Sequence, residues 1–334
     1  MLACIQPGVG YICALMDVPD RNNFPPFSIG SENTLDRMAE KRSDSAWVEQ
    51  RLADKNSRFL LLADLSLCVD SNEDRGETRL RWYSTGDIQK FDVDLGDAIL
   101  LGCDPDGQAI FAVSLNEAQA RAVPGGMDAM KPLVDLRSLA LQGALSPPDL
   151  SLAGMARALS AWHDIARHCG RCGESTKSFD AGWRRKCEAC DHEFYPRSDP
   201  AIIVLITDGK RCLLGHHKRY AHKFYSTLAG FVEPGEDFEA CVRREMREET
   251  GISVGEVTYM ASQPWPFPHL MMVGCWAQAL TSELTLEEEE LHDARWFTRD
   301  EVLQMMEDKH PQGFTVPGPH SIAHALIKSF VDSR

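Results

Sequence analysis

No uncharged apolar stretch in the 334-residue chain approaches the roughly 18 residues needed to span a bilayer: the run Ala201 to Thr207 is followed at once by Asp208-Gly-Lys. This excludes an integral membrane helix. An excess of cations is missing too. Lys and Arg total 35 against 50 Asp and Glu, a formal charge of −15, which repels polyanions at long range and argues against a general duplex-DNA binder. The sequence lacks low-complexity tracts and internal repeats, its one charge block being Glu287 to Glu290. With 43% hydrophobic and 25% charged residues, disordered and fibrous classes fall away. The first fifteen residues lack the basic region of a signal peptide, and Cys4 and Cys13 resemble no disulfide framework. They read as a flexible extension, or Met16 as the start. The expected compartment is the cytoplasm.

The length implies two or three domains. Residues 1–32 read as an irregular extension, rich in Pro, Asn and Ser toward its end. An N-terminal α+β domain is expected over 33–161. Its pattern is a polar helix from Leu35 to Arg42, short strands at Phe59–Ala63, Arg79–Tyr83, Ile99–Gly102 and Ala109–Val113, and helices at Leu133–Leu145 and Leu150–Ala166. No catalytic constellation stands out there. A cysteine-rich segment, 162–197, ends at the Pro196 and Pro200 pair. A third domain, 198–334, runs through strands at Ala201–Ile206, Arg211–His217 and Leu228–Val232, a helix at Phe238–Thr250, further strands, and a last helix at Ser321–Val331.

Eleven cysteines in such a chain point to a reducing compartment with a metal site rather than a secreted scaffold. Cys4, Cys13, Cys68, Cys103, Cys212, Cys241 and Cys275 are scattered and read as buried thiols. Cys169-Gly-Arg-Cys172 and Cys187-Glu-Ala-Cys190 are different. Two C-x2-C turns let four thiolates meet at one tetrahedral Zn2+, a closed shell and therefore a structural site. Between them, Trp183-Arg-Arg-Lys186 is either a solvated hairpin or a contact for nucleic acid, where arginine and aromatic rings meet phosphates and bases.

Gly230-Phe-Val-Glu-Pro-Gly-Glu236 is followed by Arg244-Glu-Met-Arg-Glu-Glu-Thr-Gly-Ile252. On a helix Glu245, Glu248 and Glu249 stand at i, i+3 and i+4 and share a face, so three like charges repel one another. Oxygen ligands so clustered suit Mg2+ or Mn2+ and diphosphate chemistry, in which the ion neutralises charge on phosphoryl oxygens and activates water.

The segment resembles the Nudix box, G-x5-E-x7-R-E-U-x-E-E-x-G-U, at every fixed position from Gly230 to Ile252. The resemblance implies a Nudix α/β/α sandwich, metal ligation by Glu245, Glu248 and Glu249, and Glu236 and Arg244 as residues that orient loop and helix. Which glutamate is the general base varies within the superfamily.

Downstream, Ser262-Gln-Pro-Trp-Pro-Phe-Pro268 presents Trp265 and Phe267 on a backbone stiffened by three prolines. Such a loop either walls a pocket or plugs the core. It is similar to the specificity motif of the NADH pyrophosphatase family of Nudix enzymes, which also carries a zinc ribbon and an α+β domain ahead of the Nudix domain. That resemblance implies hydrolysis of NAD(H) to NMN(H) and AMP, removal of NAD caps from RNA, and a homodimer. It implies that Phe231 and Tyr195 stack on the bound base, the tyrosine coming from the other subunit. Gln263 and Met272 would line the pocket, Ala323 would offer a backbone contact, and Glu290 would be an additional metal ligand. The chain departs from the family in having His269-Leu270 where a serine usually follows two residues after the last proline. His216, His217 and His222 read as surface or hydrogen-bonded histidines rather than catalytic ones. Two other readings compete: a broader hydrolase for ADP-ribose or diadenosine polyphosphates, and a nucleotide- or RNA-binding module without turnover. Intact Glu245, Glu248, Glu249 and Arg244 argue against the second, since a site freed from catalysis need not keep repelling carboxylates.

Overall fold

Why short apolar runs become buried strands is clearest at Phe59-Leu-Leu-Leu-Ala, where both faces of the chain are covered. The computed structural model describes residues 18–21, 24, 34–72, 77–91, 93, 95–122, 134–218, 223–286 and 289–333; most of residues 1–32 and His222 lie outside these. The chain divides into two compact units, one of residues 28–199 with 264–271, the other of residues 1–27, 200–263 and 272–334.

The first of these units begins with α1 (Ser45–Ala53), followed by β1 (Arg58–Ala63), β2 (Ser66–Leu67), β3 (Val69–Asn72), β4 (Glu77–Leu80), β5 (Tyr83–Ser84), α2 (Thr85–Lys90), β6 (Ile99–Cys103), β7 (Ala109–Leu115), α3 (Glu117–Ala122), α4 (Leu136–Leu141) and α5 (Pro147–Ile165). The sheet order is β2-β1-β7-β6, with β5 also on β1; β1 and β7 are parallel and the other pairs antiparallel. Alternation along β1 sends Leu60 and Leu62 to one core, with Leu150, Ala153, Ala156 and Leu159 of α5, and Phe59 and Leu61 to the other, with Ile88 of α2 and Trp47 and Leu52 of α1. Helix α5 starts where Ser146 accepts from the Asp149 amide and Pro147 occupies the first turn.

Three local expectations are corrected here. The polar pattern at Leu35–Arg42 is not a helix: Arg42 donates from Nε and Nη2 to the Arg37 carbonyl at 3.0 and 2.8 Å, closing turns, and α1 begins only after Asp44 caps it. The helix expected over Leu133–Leu145 shortens to α4, capped by Asp135 and stopped before Gly143 at φ 61°. The strand expected over Arg79–Tyr83 is broken at residues 81–82, dividing β4 from β5.

The same unit holds β8 (Thr176–Phe179), β9 (Arg184–Cys187) and β10 (Glu193–Phe194), an antiparallel ribbon in the order β10-β9-β8. A buried polar network ties it to α5. Arg185, 5% exposed, donates to Thr176 Oγ1 and the Thr176 carbonyl and from Nη1 to His163 Nδ1 at 2.7 Å, while His163 Nε2 lies 2.8 Å from the Gly182 carbonyl. Residues 264–271 pack with this unit: Trp265 and Phe267 join the α5 core, and Arg157 donates to the Pro266 carbonyl.

The other unit is built on β11 (Asp199–Thr207), β12 (Arg211–His217), β13 (Leu228–Phe231), α6 (Phe238–Thr250), β14 (Val254–Trp265), β15 (Leu270–Ala279), β16 (Leu291–Thr298), α7 (Arg299–Met306) and α8 (Ile322–Asp332). Its sheet runs β14-β15-β11-β12-β16, with β13 also paired to β11. Ile202, Val204 and Ile206 of β11 face Cys241, Val242 and Met246 of α6; Ile203 and Leu205 face Val302 and Met305 of α7 and Leu326, Ile327 and Phe330 of α8. A sheet between helical layers is the α/β/α sandwich expected from the sequence.

Candidate active site

The acidic site is assembled by a helix start, a helix stop and one missing side chain. Asp237 accepts from the Ala240 amide at 2.7 Å and begins α6, and Gly251 at φ 71° ends it in the left-handed region. This fixes Glu245, Glu248 and Glu249 on α6. Opposite Glu245, a Cβ on Gly230 would lie 2.0 Å from the Glu245 Cδ and 2.1 Å from its Oε1. Gly230 is therefore the position that lets the carboxyl press against the β13 backbone.

Arg244 organises the charges. Its Nε donates to Glu236 Oε1 and its Nη2 to Glu236 Oε2, both at 2.9 Å, a two-pronged pair that holds the Glu236 carboxyl down to about 2. Its Nη1 reaches Glu245 Oε1 at 2.8 Å and Glu248 Oε2 at 3.0 Å, and Nη2 also donates to the Phe231 carbonyl at 2.9 Å. Loop and helix are thus locked through one guanidinium whose own pKa is raised, first by its bonds to Glu236. Burial pushes the Glu245 carboxyl up, against the pull of Arg244, and the charges of Glu248 and Glu290 add to the rise. Glu249 is 3% exposed, a carboxylate inside the domain, whereas Glu248 lies largely in solvent. Glutamates outnumber the single cation that binds Glu236, Glu245 and Glu248, so the donor set is anionic, oxygen-only and suited to a hard divalent ion. Arg244 engages two of the expected ligand oxygens. Among the described residues the carboxylates are not gathered into one shell, whereas the four ribbon cysteines are.

Those cysteines have Sγ atoms within 4.8 Å of one another, with neighbouring pairs at 3.5 to 3.7 Å. Sulfurs 2.3 Å from a tetrahedral zinc are about 3.8 Å apart, so the cluster fits the ion. Cys169 and Cys187 are buried, Cys190 is half-buried and Cys172 is exposed. Cys68, Cys103, Cys212, Cys241 and Cys275 are buried free thiols, as expected, and burial pushes Cys275 and Cys241 up to about 12.

The aromatic residues are exposed: Phe231 by 58% and Tyr195 by 63%, the latter with its hydroxyl donating to Glu193 Oε2 at 2.8 Å. Gln263 is fully buried. Its Nε2 donates to the His320 carbonyl at 3.0 Å and its Oε1 accepts from the Ile322 amide at 2.8 Å, so it sets the start of α8, whose first turn carries Ala323. Met272 packs against the core shared with α8. His216 is buried, with Nδ1 at 2.8 Å from the Phe224 carbonyl. Sequence reasoning missed the pairing of buried Tyr225 with half-buried Asp293, whose oxygens lie 2.5 Å apart, because neither belongs to a motif.

Three family descriptions match the chain: the NADH pyrophosphatase-like rudimentary NUDIX domain over residues 56–162, the NADH pyrophosphatase zinc ribbon domain over 166–195, and the NUDIX domain over 197–315. The first relates the N-terminal domain to a NUDIX domain, a kinship for which the sequence shows no internal repeat. The human NAD-capped RNA hydrolase NUDT12 is 34% identical over 90% of this chain and 72% of its own length. The human mitochondrial NAD(P)H pyrophosphatase NUDT13 is 34% identical over 71% of this chain and 72% of its own, and the NAD-capped RNA hydrolase NudC of Mycobacterium bovis 39% over 70% and 75%. No helix of the described residues is long and apolar enough to cross a membrane. Taken with the intact glutamate helix and the four-cysteine ribbon, these matches place the chain in the zinc-ribbon NADH pyrophosphatase family of Nudix hydrolases.

Proposed function

We propose that the chain hydrolyses the diphosphate bond of NAD(H), releasing NMN(H) and AMP, and removes NAD caps from RNA. The observation that carries the reading is the Arg244 lock on Glu236, Glu245 and Glu248 with Gly230 opened beneath it, since a site that did no chemistry would have no use for repelling carboxylates held this firmly. Relatives named for NAD(P)H pyrophosphatase and NAD-capped RNA hydrolase activity support the substrate.

In this reading Glu245, Glu248, Glu249 and Glu290 hold Mg2+ or Mn2+. Such an ion, when bound, would supply charge neutralisation at the phosphoryl oxygens and would lower the pKa of water. The protein aims the carboxylates through one ion pair: Glu236 stays an anion through Arg244, and Arg244 stays a cation through Glu236. Exposed Phe231 offers a ring face to the substrate base, and the partner's Tyr195 closes the other side of the stack in a homodimer. The cytoplasm is the proposed compartment. The test is product chromatography after incubating the purified protein with NADH, NAD+, ADP-ribose and an NAD-capped RNA. The reading expects NADH, NAD+ and the capped RNA to be cleaved ahead of ADP-ribose; equal or faster cleavage of ADP-ribose would favour the broader hydrolase instead.

A further inference from the structure

A cavity of about 220 Å3 lies within the unit of residues 28–199 and 264–271, between α5 and the turn that follows β14, and none of its lining residues belongs to the glutamate site. Met155, Leu270 and the ring of Trp183 give it an apolar wall. The Trp183 Nε1 is already donated to the Leu100 carbonyl at 2.7 Å, so the indole offers the cavity a ring and no polar atom. Arg37 also lines it, with its guanidinium carbon 5.8 Å from the Trp183 ring centroid, and no carboxylate pairs with it among the described residues.

The decisive group is His269, whose side chain is 10% exposed. Its Nε2 stands 3.2 Å from Asp199 Oδ2, and Asp199 Oδ1 is taken by Arg197 Nε at 2.7 Å. In the neutral imidazole a carboxylate so placed holds the Nε2–H tautomer, and Nδ1 is then an acceptor. That Nδ1 is buried and has no hydrogen-bond partner among the described residues. A buried acceptor without a partner calls for one. The occupant that answers all three features has a flat body for the apolar slot, an N–H donor for Nδ1 and a negative group for Arg37.

We propose that this cavity is a second nucleotide site, taking a nucleoside 5′-monophosphate whose base carries an exocyclic amine. The base lies in the slot against Trp183, its amine donates to His269 Nδ1, and the phosphate meets Arg37 at the exposed mouth. The nucleotide is either a free mononucleotide or a unit of an RNA chain, two sources with the same recognition chemistry. The site stands independently of the hydrolase reading.

Isothermal titration of the full zinc-loaded chain tests it, using AMP, IMP and a 5′-phosphorylated tetra-adenylate. IMP presents a carbonyl where AMP presents the amine, so it should bind this site at least ten-fold more weakly. Arg37→Ala and His269→Phe should each weaken the AMP component at least ten-fold. Arg37 is exposed, so its variant keeps the fold and NADH turnover within two-fold even where His269→Phe disturbs packing. Tetra-adenylate binding with the same dependence on Arg37 would assign the site to RNA; binding of AMP alone would assign it to free nucleotide. AMP binding equal in wild type, Arg37→Ala and His269→Phe, or tighter binding of IMP, would overturn the proposal.

Discussion

Glu245 and Gly230 act as one unit, because the carboxyl occupies the volume that any other residue at 230 would fill. Gly230→Ala puts a methyl 2.0 Å from Glu245 Cδ, and either strand or carboxyl has to move. A shift of about 1 Å at a catalytic group costs roughly a hundred-fold in rate, so turnover should drop by about that factor while zinc content stays at one per chain. Steady-state kinetics beside metal analysis checks it; near wild-type turnover would remove the steric role. The motif made Gly230 visible in the sequence, but its reason was not, since only the folded helix brings Glu245 over β13. The reverse holds for Gln263, which the resemblance put in the pocket while its two hydrogen bonds tie it to the start of α8. A one-residue reading cannot distinguish an amide aimed at a ligand from one aimed at a helix end 57 to 59 residues away.

At the scale of elements, the ribbon and α6 were legible because their signals are local. Spacing alone set the four cysteines, and an Asp before and a Gly after set the bounds of α6 at Phe238–Thr250. Helix α1 was missed because the polar stretch before it carries a similar pattern, and the backbone of Arg37, bonded by Arg42, decides between them. Replacing Cys187, which is fully buried, with Ser should lose the zinc and lower the melting temperature, read by elemental analysis and thermal unfolding; full zinc occupancy in the variant would contradict the shell. The joint between α5 and ribbon gives a pH prediction. Burial lowers the His163 pKa, the Arg185 charge lowers it further, and the Gly182 carbonyl, Asp97 and Asp164 oppose this. The unfolded chain therefore takes up the proton first, so stability is fully present above about pH 6.5 and is lost as pH falls toward the lower folded value. His163→Gln should flatten the fall in melting temperature between pH 7.5 and 5.5. An unchanged slope would show that other groups, zinc release included, set it.

For the whole molecule, Tyr195 tests how many chains make one site. Stacking on an aromatic ring is worth about 1 to 3 kcal/mol, so Tyr195→Ala should weaken NAD(H) use by roughly ten- to a hundred-fold. If the tyrosine serves the neighbouring subunit, mixing Tyr195→Ala with inactive Glu248→Gln should restore up to half the wild-type activity per dimer, because one composite site is then intact. Verified subunit exchange without recovery would place Tyr195 in its own chain's site or in none. The Pro-rich loop shows why such assignments need structure: Trp265 and Phe267 pack into the α5 core, an outcome the sequence left open beside a pocket wall.

The central claim, diphosphate cleavage of NAD(H) by the α6 glutamates, is tested most directly by chromatography with mass detection of NADH incubated with wild type, Glu248→Gln and Glu249→Gln at saturating Mg2+. Wild type should yield NMNH and AMP in equal amounts. Each variant, still folded and zinc-loaded, should be slower by roughly a hundred-fold or more. Variants within a few fold of wild type, or products other than NMNH and AMP, would contradict it.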